Sequence, residues 1–86
     1  MRLRLDSGEE AQAIRFDGNL LTLHSPQAYA PGAPIRFTLV LEDETRPLEG
    51  RTIGSKRIEE GVFEVRLRFI NLRRADRELL TQTLVR

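Results

Sequence analysis

The chain has 86 residues with no cysteine, and its 14 Lys+Arg against 13 Asp+Glu give a net charge of +1. This length suits one small domain, spanning 1–86, and argues against a second lobe or a deep enzyme cleft. The missing thiols exclude a disulfide framework or a thiolate metal site, and the near-neutral balance means that any anion site must come from local arrangement.

Short segments that alternate apolar and polar residues fill the first 70 positions, with strands expected over about 2–70. In "RLRL" Leu3 and Leu5 share a face opposite Arg2 and Arg4, Ile14 and Phe16 share one in "AQAIRF", and Leu21 and Leu23 share one in "LLTLH". "SPQAYAPGAP" holds three prolines and a glycine and reads as a loop. "IRFTLVL" then places Ile35, Phe37, Leu39 and Leu41 together, before the exposed turn "EDETRP". From Leu48 to Ile58 the segment still reads as extended, with Gly50 and Gly54 marking a bulge or a sharp coil. "EEG" forms a hairpin turn into the clearest strand, where Phe63, Val65, Leu67 and Phe69 oppose Glu64, Arg66 and Arg68.

After Asn71, a suitable N-cap, the spacing turns helical over about 72–85, with Ala75, Leu79, Leu80, Thr83 and Leu84 along one face. Asp76 and Glu78 sit in the first half, where the helix dipole favours negative charge. Such a helix is marginal alone, so its leucines must dock on the sheet. Strands this short are best closed into a small barrel that hides their edges.

Catalytic and metal chemistry find little support. His24 and Ser25 are adjacent on a strand and point to opposite faces, and there is no second histidine for a metal site. The carboxylates cluster in turns, where they are solvated: Glu9-Glu10, Glu42 to Glu44 and Glu59-Glu60. The expectation is a non-enzyme with no cofactor.

Tyr29, in the proline-rich loop, reads either as a contact anchor for a partner protein or as a cover for the barrel end. Arg66 and Arg68 lie on the outward face of a strand, and become cross-strand charge pairs if Arg51 or Glu49 falls opposite. No aromatic residue interleaves them, which argues against nucleic-acid binding. Arg73, Arg74 and Arg77 surround the helix start, where backbone N–H groups favour a phosphate or carboxylate. No apolar run approaches the ~18 residues of a membrane span. "MRLRLDSGEE" lacks the apolar stretch of a signal peptide, so a cytoplasmic chain without membrane insertion is expected.

"LTLHSPQAYAPGAPIRFTLVL", "LEGRTIGSKRIEEGVFEVRLRFINL" and "DRELLTQTL" together resemble the PilZ domain over roughly residues 11 to 85. The resemblance implies a mostly β fold: a small six-stranded antiparallel barrel with one C-terminal helix, bacterial and without enzymatic activity. PilZ domains that bind cyclic di-GMP use an Arg-x-x-x-Arg motif in a flexible segment before the first barrel strand and an Asp/Asn-x-Ser-x-x-Gly motif at the next strand. Here the only Arg-x-x-x-Arg spacing is Arg73 to Arg77, at the helix start, and the N-terminal segment offers just Arg2 and Arg4. "RFDGNL" sets Arg15, Asp17 and Leu20 where the second motif should stand. The expected function is therefore an adaptor that binds another protein in motility, pilus or surface signalling. Homodimerisation through exposed sheet edges is one route to partnership. The alternatives are a cyclic di-GMP receptor using Arg2, Arg4, Arg73, Arg74 and Arg77, and a nucleic-acid-binding barrel.

Overall fold

A segment that alternates leucine with arginine is stable only when one face is dry, and six such segments must share a single interior. The computed structural model, which describes residues 1–84, closes them into one antiparallel barrel. The strands are β1 (Arg2–Leu5), β2 (Glu10–Asp17), β3 (Leu20–Ser25), β4 (Pro34–Val40), β5 (Thr45–Glu59) and β6 (Val62–Phe69), followed by helix α1 (Arg74–Leu84). Their order around the barrel is β1-β2-β3-β6-β5-β4, with Leu3 facing Ala11 on one side and Leu39 on the other. The mostly β, six-stranded barrel with one C-terminal helix that the resemblance implies is the fold observed.

The interior is filled from every strand by Leu3, Leu5, Phe16, Leu21, Leu23, Ile35, Phe37, Leu39, Leu48, Val65, Leu67 and Phe69. Each fully buried leucine contributes about 1.5–3 kcal/mol. Phe16 and Phe37 pack on the Phe69 ring at 5.9 and 6.1 Å between centroids. Gly18 (φ 64) and Gly61 (φ 75) turn the β2–β3 and β5–β6 hairpins in a left-handed conformation that other residues adopt with strain.

Three bulges shape the wall, and each carries an isoleucine. In β2, Ala13 faces Leu23 and Arg15 faces Thr22, so Ile14 is an extra residue. It stands 46% exposed while Ala13 and Phe16 point inward. The expectation that Ile14 and Phe16 share a face is corrected by this bulge, which resets the two-residue period. Ile53 and Ile58 are the extra residues where the β5–β6 register shifts. Gly50 has a different role: a Cβ there would stand 2.5 Å from the Arg68 carbonyl oxygen and 2.8 Å from Leu67 Cδ1. Glycine is thus required for β5 to cross β6 at this distance.

Helix α1 seals one end. Leu80 is fully buried, and Leu72, Leu79 and Leu84 pack on the core. The expected stripe is rotated: Ala75 and Thr83 face solvent, and Asp76 occupies the buried position one turn before Leu80. Asn71 is not the N-cap but a left-handed turn residue (φ 54), and the helix begins at Arg74. The expected helix end at Val85 lies outside the described residues. No described helix is long and apolar enough to cross a membrane.

Candidate functional site

The five arginines considered for a dinucleotide do not converge. Arg2 lies 3.8 Å from Glu10, and Arg74 lies 3.5 Å from Glu78 one helical turn on. Arg77 turns to the β2–β3 hairpin, donating from Nη1 to the Gly18 carbonyl at 2.6 Å and from Nη2 to Asn19 Oδ1 at 3.0 Å. Its guanidinium also stacks 5.8 Å from the centre of the Phe16 ring. The Arg73–Arg77 motif is therefore split, since Arg73 faces a groove on the other side of the helix start.

That groove, of about 920 Å³, is lined by Arg4, Arg36, Arg46 and Arg73 together with Asp6, Glu49 and Asp76. Most of its charge is already paired. Arg36 Nε lies 3.6 Å from Glu49, and Arg46 Nη1 donates to Asp76 Oδ1 at 2.8 Å while Nη2 reaches Glu44 at 3.1 Å. The hydrogen bonds that Arg46 donates to Asp76 and Glu44 hold its guanidinium above the usual arginine range, so it stays charged. This pair fastens α1 to the start of β5 and accounts for a carboxylate on the buried face of the helix.

The outer face of β2, β3, β6 and β5 contrasts with the groove. Arg51 of β5 stands directly opposite Arg68 of β6. One step along β6, Arg66 lies between Thr22 and Gly54, and Arg15 follows beyond Thr22. Of the two residues considered as cross-strand neighbours of Arg66 and Arg68, Arg51 does fall opposite Arg68 but brings a like charge, while Glu49 faces Arg36. Among the described residues, Arg15, Arg51, Arg66 and Arg68 have no carboxylate within 4.0 Å; Arg51 donates instead to the Gly32 carbonyl at 3.0 Å. Ile14 and Ile53, 46% and 38% exposed, flank this patch at its two bulges. The patch spans about 14 Å, three strand spacings.

The remaining expectations divide. Tyr29 is half-buried against the core, its hydroxyl accepting from Gln27 Nε2 at 2.8 Å. Its backbone is clasped by the Ser55 hydroxyl, which accepts from Tyr29 N at 3.1 Å and donates to Tyr29 O at 2.8 Å. Burial raises the Tyr29 phenol above its usual 10.0, with the Gln27 hydrogen bond opposing. The ring thus covers the barrel end away from α1. Ser25 points inward and bonds the Gln27 backbone, while His24 lies outward opposite Glu64, so the two are apart as expected. Among the described residues, no group of three His, Asp or Glu is placed to hold a metal.

Sheet edges are nearly absent, because β1 closes the ring between β2 and β4. The overhang of β5 past Ser55 carries Lys56, Arg57 and the Ile58 bulge, features that discourage strand addition. Edge pairing is accordingly not the contact that this barrel favours.

No protein-family model, curated protein or solved structure matches the chain.

Proposed function

We propose that this chain is a non-catalytic, PilZ-like adaptor module of the bacterial cytoplasm that binds another protein. The resemblance suggests a place in motility, pilus or surface signalling. One observation carries the reading: the outer face of β2, β3, β6 and β5 displays Arg15, Arg51, Arg66 and Arg68 beside exposed Ile14 and Ile53, and among the described residues no carboxylate stands within 4.0 Å of these guanidiniums. A broad, stiff, partly apolar face suits a macromolecule better than a small ligand.

A cyclic dinucleotide receptor is the second reading, favoured only by Arg4 and Arg73 sharing the groove beside α1. Calorimetric titration with cyclic di-GMP at about 0.15 M salt separates the two. The adaptor reading expects no saturable heat. Saturable micromolar binding that is lost in Arg4→Ala or Arg73→Ala would overturn it.

A further inference from the structure

Two features of the outer face weaken the sheet, and they are neighbours. The first is the direct apposition of Arg51 and Arg68, a like-charge cross-strand pair that works against the sheet. Elsewhere the chain follows the opposite rule, setting Arg4 across from Glu10, Arg36 from Glu49 and Lys56 from Glu64. The second is Gly54, opposite Arg66. A Cβ at Gly54 meets nothing within 4 Å, and its backbone is outside the left-handed region. The barrel would accept a side chain there, so the Ile53 bulge beside it does not require glycine, and a glycine inside a strand also marks a place where another backbone comes close. Gly50, four residues earlier, is the contrasting case, since the crossing of β5 over β6 demands it.

Building on the adaptor reading, we infer that this face holds an extended, acidic segment of a partner protein, which runs along β6 with its carboxylates toward Arg66 and Arg68 and its backbone over Gly54. Arg66 and Arg68 are about 6.8 Å apart along the strand, the repeat at which one face of an extended peptide presents its side chains. Guanidinium forks match carboxylates there. Ile14 and Ile53 stand at the level of Arg66, one to each side, where the aliphatic stems of the segment's glutamates pack on them. A shallow cleft of about 330 Å³ between Gly54, Ser55, Lys56, Glu64 and Arg66 receives the segment's closest approach. Single-stranded RNA fits less well, since base stacking needs aromatic rings and Phe16, Phe37 and Phe69 are all buried. A second copy cannot offer the same face, because arginine would meet arginine.

The test uses the whole chain and a labelled peptide of about ten residues alternating glutamate with valine, read by fluorescence anisotropy beside a uridine oligonucleotide and phosphatidylserine vesicles. The peptide is expected to bind more tightly than either competitor. Arg66→Glu and Arg68→Glu each weaken it at least about tenfold, and a lysine–valine peptide regains affinity for the double charge reversal. Gly54→Val leaves the melting temperature unchanged or higher yet weakens the peptide several-fold, an effect that a merely structural glycine would not produce. Equal or tighter binding of the oligonucleotide or vesicles overturns the inference, as does an unchanged peptide affinity in Gly54→Val or in the charge reversals. Absence of peptide binding also overturns it, whereas the adaptor reading falls only to the cyclic di-GMP titration.

Discussion

The two sides of this barrel treat arginine in opposite ways. On the side formed by β1, β4, the first half of β5 and α1, carboxylates stand against the guanidiniums: Arg2 with Glu10, Arg36 with Glu49, and Arg46 with Glu44 and Asp76. On the side formed by β2, β3, β6 and the middle of β5, arginine faces arginine and the exposed apolar residues are isoleucines placed on bulges. The first side is arranged for the chain's own stability. The second tolerates electrostatic repulsion that an acidic partner would relieve, and the difference shows where to look for function on this barrel.

The sharpest way to break this contrast is at Gly50, which both sides share. Gly50→Ala forces a Cβ into the Arg68 carbonyl and should cost about 3 kcal/mol in urea unfolding, moving β5 off β6 and separating Arg51 from Arg68. On the paired side, Asp76→Ala leaves Arg46 only the exposed Glu44 and loosens α1. A fall in melting temperature on the order of 10 °C, with faster amide exchange in α1 than in β6, is the expected result. Thr52→Val removes a buried hydroxyl that has no hydrogen-bond partner among the described residues, and should raise stability by about 1 kcal/mol.

Smaller effects discriminate best. Arg68→Glu, set against Arg51, is expected to stabilise the barrel by about 0.5 kcal/mol while abolishing docking of the acidic peptide. Arg36→Ala on the paired side should lose no more than about 0.3 kcal/mol, since its ion pair with Glu49 is exposed. If both arginine substitutions were destabilising to the same degree in chemical denaturation, the two sides would not differ and the contrast would be lost.

Much of the fold was legible because alternation survives wherever the strand is regular. Periodicity alone places Phe63 to Phe69 and Ile35 to Leu39 on the inward face where the barrel holds them. What failed did so for local reasons. Ile14 is apolar and reads as core, yet it is the inserted residue of a bulge, and nothing in "AQAIRF" separates an inserted isoleucine from a buried one. The site suffered from the same cause. Counting back from the turn after Glu59 without bulges would set Ile53 against Arg68; the extra residues Ile58 and Ile53 each move the register by one, so Arg51 arrives there instead. Asp76 was placed by its helix position and not by its partner, because Arg46 is thirty positions away in sequence and close only after the barrel closes.

The seam between β3 and β6 joins segments separated by the whole β4–β5 hairpin, with Thr22 meeting Arg66 and Leu20 meeting Arg68. Such distant pairings are slow to form, since the loop-closure entropy is lost before the contacts repay it. Hairpins β4–β5 and β5–β6 can assemble locally, and then Arg51 already faces Arg68, but Arg15 and Thr22 join them only when the seam zips. The four-arginine face is therefore completed late in folding, and a partner that needed all four arginines would recognise finished molecules and ignore nascent ones.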